Sequence, residues 1–195
     1  MERGSVNKMM KRSALFYLCQ RDGASFIEYH GWMLPDFFHP PETEAEGARA
    51  GVGIVDISYR AKFEGRARPE RNGWLLGANH YLTIGDPPLE APFGATDVSS
   101  VYANLLLAGP HSQNLLAKLT SLRLSGDALP NGECAEANIA HAHAIVLRED
   151  LPQTRAYHVL ISREYAESVW ESMLHAGHEY HLHPFGLKAL ELLRA

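Results

Sequence analysis

No apolar run in this chain is long. The stretches 26–29, 53–58, 102–107, 139–147 and 157–161 are strand-sized and are bounded by turn signals or short polar segments. Helix-like segments alternate with them. Residues 42–50 are rich in Glu and Ala, with glutamates placed to complement the helix dipole and Gly51 placed to cap the end. Pro110 opens a helix with Leu115, Leu116 and Leu119 on one face. Ser162 is placed to cap a helix running to Ala176, with Val169, Trp170 and Met173 inward. Residues 13–19 begin a short helix or strand, residues 69–79 read as a helix burying Trp74 and Leu75, and residues 184–194 read as the last helix. Such alternation confines the chain to α+β or mixed α/β architecture, and α+β is the class read here.

At 195 residues and 46% hydrophobic content, the chain can form one globular unit or two small lobes sharing a core. Prolines 87, 88 and 92 mark residues 85–96 as a linker between lobes at 13–84 and 97–195. Residues 1–12, with Arg3, Lys8, Lys11 and Arg12, read as a loose, solvated end. A net charge of −5 gives no reason to expect nucleic acid as a partner. No stretch approaches the roughly 20 apolar residues of a membrane helix, and the start lacks the apolar core of a signal peptide. Cys19 and Cys134 lie far apart in no paired motif, so neither a disulfide framework nor a zinc ribbon is expected, and a reducing cytoplasm is the natural setting.

Chemistry is thinly signalled. His141 and His143, two apart on the expected strand 139–147, would share one face with Ile139 and Ile145. His181 and His183 repeat the spacing. Two ligands do not make a metal site, and no carboxylate or thiol stands at a matching spacing, so no metal is assigned. Asp56 ends an apolar strand and is either a general base or a backbone-bonding turn residue. No serine sits in a nucleophile elbow. Trp32, in a Gly-Trp-Met-Leu-Pro turn, is either core or pocket lining.

Two longer motifs carry a resemblance. Gly23-Ala24-Ser25-Phe26-Ile27-Glu28-Tyr29-His30-Gly31-Trp32-Met33-Leu34-Pro35 and Arg49-Ala50-Gly51-Val52-Gly53-Ile54-Val55-Asp56-Ile57-Ser58 resemble the first two motifs of the glycine-cleavage T-protein family. Leu107-Ala108-Gly109-Pro110-His111-Ser112, residues 170–177 and residues 186–194 are similar to its later motifs, in the same order. The family comprises folate-binding aminomethyltransferases, sarcosine and dimethylglycine oxidases and a demethylase. The resemblance implies a truncated T-protein-like fold of two small α/β lobes without the C-terminal barrel, with tetrahydrofolate as the one cofactor it suggests.

The departures shape the functional expectation. Only residues 80–101 stand where the transferases carry a long stretch with a catalytic aspartate, so that aspartate has no counterpart. The family glutamate that holds the pterin ring falls near Thr154, with Glu149 or Asp150 as the available substitutes. Leu190 stands for an arginine, and Arg60 for a methionine. No catalytic residue is assigned. A surviving pocket would use Trp32, Met33, Asp56, Ser58, Arg60, Tyr102 and Arg194. The short form resembles the sarcosine oxidase gamma subunit. The expectation is a degenerate module that binds a folate-like ligand, a partner oxidase subunit or a second copy of itself. The alternative is a tetrahydrofolate-dependent aminomethyltransferase or demethylase with a rebuilt site.

Overall fold

The computed structural model describes residues 10–69, 73–124 and 128–195. In chain order its first elements are β1 (Lys11–Arg12), α1 (Phe16–Arg21), β2 (Ser25–Tyr29), β3 (Trp32–Phe37), α2 (Pro41–Ala50) and β4 (Gly53–Asp56). Then come β5 (Ala61–Gly65), β6 (Gly73–Gly77), β7 (His80–Gly85), β8 (Thr96–Asp97), β9 (Tyr102–Ala108) and α3 (Ser112–Leu119). The last are β10 (Cys134–Ile139), β11 (Ala142–Arg148), β12 (Ala156–Ser162), α4 (Ala166–Gly177), β13 (His183–Pro184) and α5 (Leu187–Arg194).

A six-stranded sheet in the order β10-β11-β12-β9-β4-β13 forms the middle of the molecule. Its strand β9 is apolar on both faces, and each face meets a different layer. Leu105 and Leu107 join a core with α1, α3 and α4, where Trp170 and Met173 are buried. Leu106 and Ala108 turn the other way, onto α2, α5 and Trp32 and Leu34 of β3. A third core joins Ile145, Leu147 and Leu160 of the sheet to Trp74, Leu82 and Ile84. Those three belong to a four-stranded sheet, β6-β7-β5-β8, while β1-β3-β2 form a three-stranded one. β4 and β9, on either side of the proline-rich stretch, are antiparallel neighbours, and β5 and β8 pair across it as well.

The mixture of helix and strand is the one that the alternation predicts, but several elements differ. Residues 73–85 are the hairpin β6–β7, not a helix. Trp74 is buried while Leu75 is 59% exposed, a period-two pattern, and Gly73 and Gly77 would each weaken a helix by about 1 kcal/mol. The expected strand 139–147 is two strands, β10 and β11. They are joined at Ala140 and His141, which both take positive φ (47° and 70°), as a tight hairpin turn requires. The Trp32 motif is strand, and the turn lies just before it at His30 and Gly31. Of the expected loose end, residues 1–9 lie outside the described residues, while Lys11 and Arg12 pair in parallel with Trp32 and Met33. Ser162 makes no cap with its side chain, since a 3-10 turn at Arg163–Tyr165 leads into α4. The last helix begins at Leu187, because Pro184 is taken into β13.

Gly51 ends α2 without left-handed geometry (φ −129°). A Cβ there would stand 2.6 Å from the Tyr180 carbonyl, so close approach is what demands glycine. Gly109 does need its freedom. It sits at φ 142°, and a Cβ would meet the Gly51 carbonyl at 2.4 Å.

Glu44, only 1% exposed, ties α2 to its surroundings. Its Oε1 accepts the backbone N–H groups of Phe38 (2.6 Å) and His39 (2.7 Å), and its Oε2 accepts that of Gly186 (2.9 Å) at the start of α5. Replacing Glu44 with Ala leaves one buried and two partly buried donors unpaired. We expect Glu44→Ala to destabilise the protein by about 3–5 kcal/mol, readable as a lowered urea midpoint. Glu44→Gln, which keeps an acceptor oxygen, should lose less than half of that. Equal stability of wild type and Glu44→Ala would remove the residue from this role.

Candidate functional site

β4 ends in Asp56, and the turn at residues 58–60 carries the chain into β5. Asp56, 1% exposed, does not reach into open space. Its Oδ1 accepts the Ser58 N–H (2.9 Å) and the Ser58 hydroxyl (2.6 Å), and Ser58 Oγ in turn accepts the Asn104 N–H from β9 (3.0 Å). On the other side of the turn, the fully buried Lys62 donates from Nζ to the carbonyls of Ser58 (3.0 Å) and Arg60 (2.8 Å). Burial pulls the Lys62 ammonium down to about 8 against the pull of Asp56.

The turn aims Arg60 into a chain of polar side chains. Arg60 Nη1 donates to Glu149 Oε2 (3.3 Å), and its Nε lies 3.2 Å from Asp86 Oδ1 as an ion pair outside hydrogen-bond alignment. Arg194 Nη1 stands 3.9 Å from Asp86 Oδ2. Behind Glu149 lies His158, 2% exposed, with Nε2 2.9 Å from Glu149 Oε2 and Nδ1 3.2 Å from Asn104 Oδ1. Desolvation holds His158 below its ordinary value, so the ring is neutral and donates through one nitrogen only. Both contacts are satisfied when Nε2–H donates to Glu149 and the Asn104 amide is turned so that its nitrogen donates to Nδ1. The bond from His158, helped by the charge of Arg60, holds the Glu149 carboxyl down to about 2. Asp150 is engaged too. It accepts from Arg148 Nε (3.1 Å) and Nη2 (2.8 Å), and its Oδ1 also takes the Ala156 N–H (3.2 Å).

Asp56, Ser58, Arg60 and Arg194 therefore converge on one region. Ser58 also lines, with Trp32 and Tyr102, a small cavity of about 10 Å³ that Ser13 and Arg163 share. That is room for about one water molecule, far below the roughly 300 Å³ at which ligand clefts begin. Met33 belongs to neither group. It lies half-buried on β3 between Arg12 and Glu28 of the flanking strands. An open groove of about 980 Å³ between α3, α4 and the β10–β11 turn holds none of these residues. His141, in that turn, and His143, exposed on β11 beside Glu136 (3.3 Å), do not share a strand face. Among the described residues no three of His, Cys, Asp or Glu stand close enough to hold a metal ion.

Asn104, His158 and Asp86 were not singled out from the sequence. A usable signal existed for two of them, since Asn104 and His158 each interrupt an otherwise apolar strand with a group that burial forces to find a partner.

The family model of the GCVT N-terminal domain matches residues 78–195. Aminomethyltransferases are similar over 95% of this chain, that of Geobacillus sp. (strain WCH70) at 27% identity and that of Bacillus subtilis (strain 168) at 26%. The chain spans 64% of the length of each. Among solved structures, the glycine cleavage system aminomethyltransferase T from Bartonella henselae superposes with a TM-score of 0.72 at 18% identity, over 95% of this chain and 62% of that one. A chain of the heterotetrameric sarcosine oxidase from Corynebacterium sp. U-96, in complex with pyrrole 2-carboxylate, superposes with a TM-score of 0.62 at 13% identity, over 88% of this chain and 96% of its own. These likenesses at low identity establish the fold.

Acid should loosen this polar chain in two stages. His158 is held below 6.5, so the stability that its neutral form contributes is full above 6.5 and is lost as pH falls through its folded value. Glu149, held at about 2 against an ordinary 4.5, gives stability that is full above 4.5 and is lost toward 2. Urea unfolding from pH 8 to 4 should show wild-type stability falling from about 6.5 downward. His158→Gln should be less stable at pH 8 but lack the upper stage; an unchanged pH slope in that variant would disprove the assignment.

Proposed function

The chain belongs to the family of the GCVT N-terminal domain, and from that premise we propose that it is a catalytically degenerate, aminomethyltransferase-like module that serves as a partner subunit in one-carbon or methylamine metabolism. The observation that carries this reading is that both carboxylates able to stand in for a pterin-binding glutamate are already committed. Glu149 is neutralised by Arg60 and bonded by His158, and Asp150 is forked by Arg148. A ring recognised through paired N–H groups needs both oxygens of a carboxylate in a dry site, whereas Glu149 already accepts both bonds on Oε2 and its side chain is half exposed. Freeing Glu149 means leaving Arg60 buried beside a single remaining carboxylate, Asp86, and stranding His158 without its acceptor. Each buried group left unpaired costs about 1–3 kcal/mol, more where it is charged. The small cavity at Trp32, Ser58 and Tyr102, about 10 Å³, points the same way, because a planar bicyclic ring is too large to enter it without moving its walls.

The subunit half of the proposal draws support from the near-complete two-way overlap with one chain of a heterotetrameric oxidase. In such an assembly a folded module contributes surface and positioning, which the scaffold described above retains without a working one-carbon site.

Calorimetric titration of the purified protein with tetrahydrofolate is the deciding measurement. We expect no saturable heat up to millimolar ligand, where even weak binding of about 4 kcal/mol would register. Saturable one-to-one binding would establish a rebuilt folate site and overturn the degenerate reading. The subunit half is tested separately by isolating the protein from its native host. A stoichiometric second polypeptide is expected, and recovery without one counts against it.

A further inference from the structure

Asn131 and Gly132 form the turn just before β10, and both are exposed. An Asn-Gly pair carries its own reaction. Glycine has no side chain to shield its main-chain nitrogen, so that nitrogen, once deprotonated, can attack the amide carbon of the asparagine before it. Here both partners of the step are tied down. The Gly132 N–H donates to the Arg148 carbonyl (2.8 Å), and the Asn131 amide oxygen accepts the Asp150 N–H (2.9 Å).

The corner that ties them is built on Arg148. Its N–H donates to the Glu133 carbonyl (2.9 Å) and its Nη1 to the Leu129 carbonyl (3.0 Å). Its Nε and Nη2 fork onto Asp150. Segments 129–133 and 148–150 are therefore one hydrogen-bonded unit, and its outer bonds lie at the surface, where local opening is easiest.

We propose that Asn131 is a site of spontaneous covalent modification, and that opening of this corner sets its rate. The Gly132 nitrogen loses its proton and bonds to Asn131 Cγ. The side-chain nitrogen leaves as ammonia, carrying away a proton in exchange, and a cyclic imide remains. Water then opens the ring. Cleavage of the new bond to Cγ gives aspartate. Cleavage at the main-chain carbonyl leaves the chain running through Cγ, one carbon longer, as isoaspartate. The step needs water and no other reactant. Either product sets a new carboxylate beside Asp150, and the lengthened chain also draws the Gly132 N–H off the Arg148 carbonyl. The inference does not rest on the functional reading above, since it concerns the chemistry of the chain alone.

Mass spectrometry of the purified chain, aged at neutral pH, tests it. The tryptic peptide 124–148 holds Asn131 and also Asn138, which Ile139 follows. We expect Asn131 to convert to a mixture of aspartate and isoaspartate ahead of Asn138. In denaturing urea the conversion should run about 30-fold faster than in the folded chain, the worth of two protecting hydrogen bonds. Asn72, also followed by glycine, should match it there. Asp150→Ala removes the fork on Arg148. It should speed both the conversion in the folded chain and the hydrogen exchange of the Gly132 N–H, in the same proportion. Equal rates for folded and unfolded wild type, or conversion of Asn138 before Asn131, overturns the proposal without recourse to the variant. So does an Asp150→Ala chain in which Gly132 exchange quickens and conversion does not.

Discussion

The turn at residues 58–60 is fixed by two opposite charges that do not touch each other. Asp56 takes up the N–H and hydroxyl of Ser58, and Lys62 takes up the carbonyls of Ser58 and Arg60. An anion satisfies the donors and a cation the acceptors, so a buried, irregular piece of backbone is left with few unpaired groups. This division suits an interior turn. A lysine facing a carboxylate directly would neutralise the charges but leave the turn's carbonyls without donors. Because this corner joins the six-stranded sheet to the four-stranded one, the relative placement of the two sheets depends on it.

Everything around Glu149 follows from where that corner points Arg60. A guanidinium entering a mostly buried region must find anions, and it finds Glu149 from the end of β11 and Asp86 from the end of β7. Glu149 then has an acceptor left over for the neutral His158. The arrangement superficially resembles a catalytic relay, with a histidine between an amide and a carboxylate. Its energetics are those of a lock. His158 is sealed from solvent, its Nε2 already bonded, and Glu149 is held so acidic that it is a poor base at neutral pH. A working acid–base pair needs a proton acceptor near the working pH, and Glu149 at about 2 is far from that.

What could be read in the sequence was local. Strand-sized apolar runs gave β4, β9 and β12, and the glutamate-rich start gave α2, because burial and propensity act over a few residues. The β10–β11 hairpin escaped because its turn uses Ala140 and His141, residues that carry no turn signature, in a conformation imposed by the strands on either side. The β6–β7 hairpin escaped because three adjacent apolar residues, Trp74, Leu75 and Leu76, do not reveal which faces inward. The candidate site was half legible. Asp56, Ser58, Arg60 and Arg194 came from matched motif positions and do converge. Their partners Asp86 and Glu149 lie far off in sequence, and no pattern within one segment could join them to Arg60. The Trp32–Tyr102 wall was legible as contact, but not the small size, about 10 Å³, of the cavity that it lines.

The short stretch 80–101 has a double effect on the chemistry. On the proposed degenerate reading, the chain lacks there the segment with a transferase's aspartate. The residues that remain are not a passive splice. Asp86 anchors Arg60, and Ser99 caps the Lys62 side of the corner, its hydroxyl accepting the Lys62 N–H (2.9 Å) while its carbonyl faces Nζ (3.5 Å). Tyr102, immediately after, closes the small cavity. These contacts tie the stretch 80–101 to the corner at 58–60. On the proposed degenerate reading, restoring a single aspartate would not restore a site, because Arg60 would still hold Glu149. Releasing Arg60 from Asp86 would leave the far end of β7 in place, because the Ala61–Gly85 pairing of β5 with β7 already holds it beside the turn at 58–60.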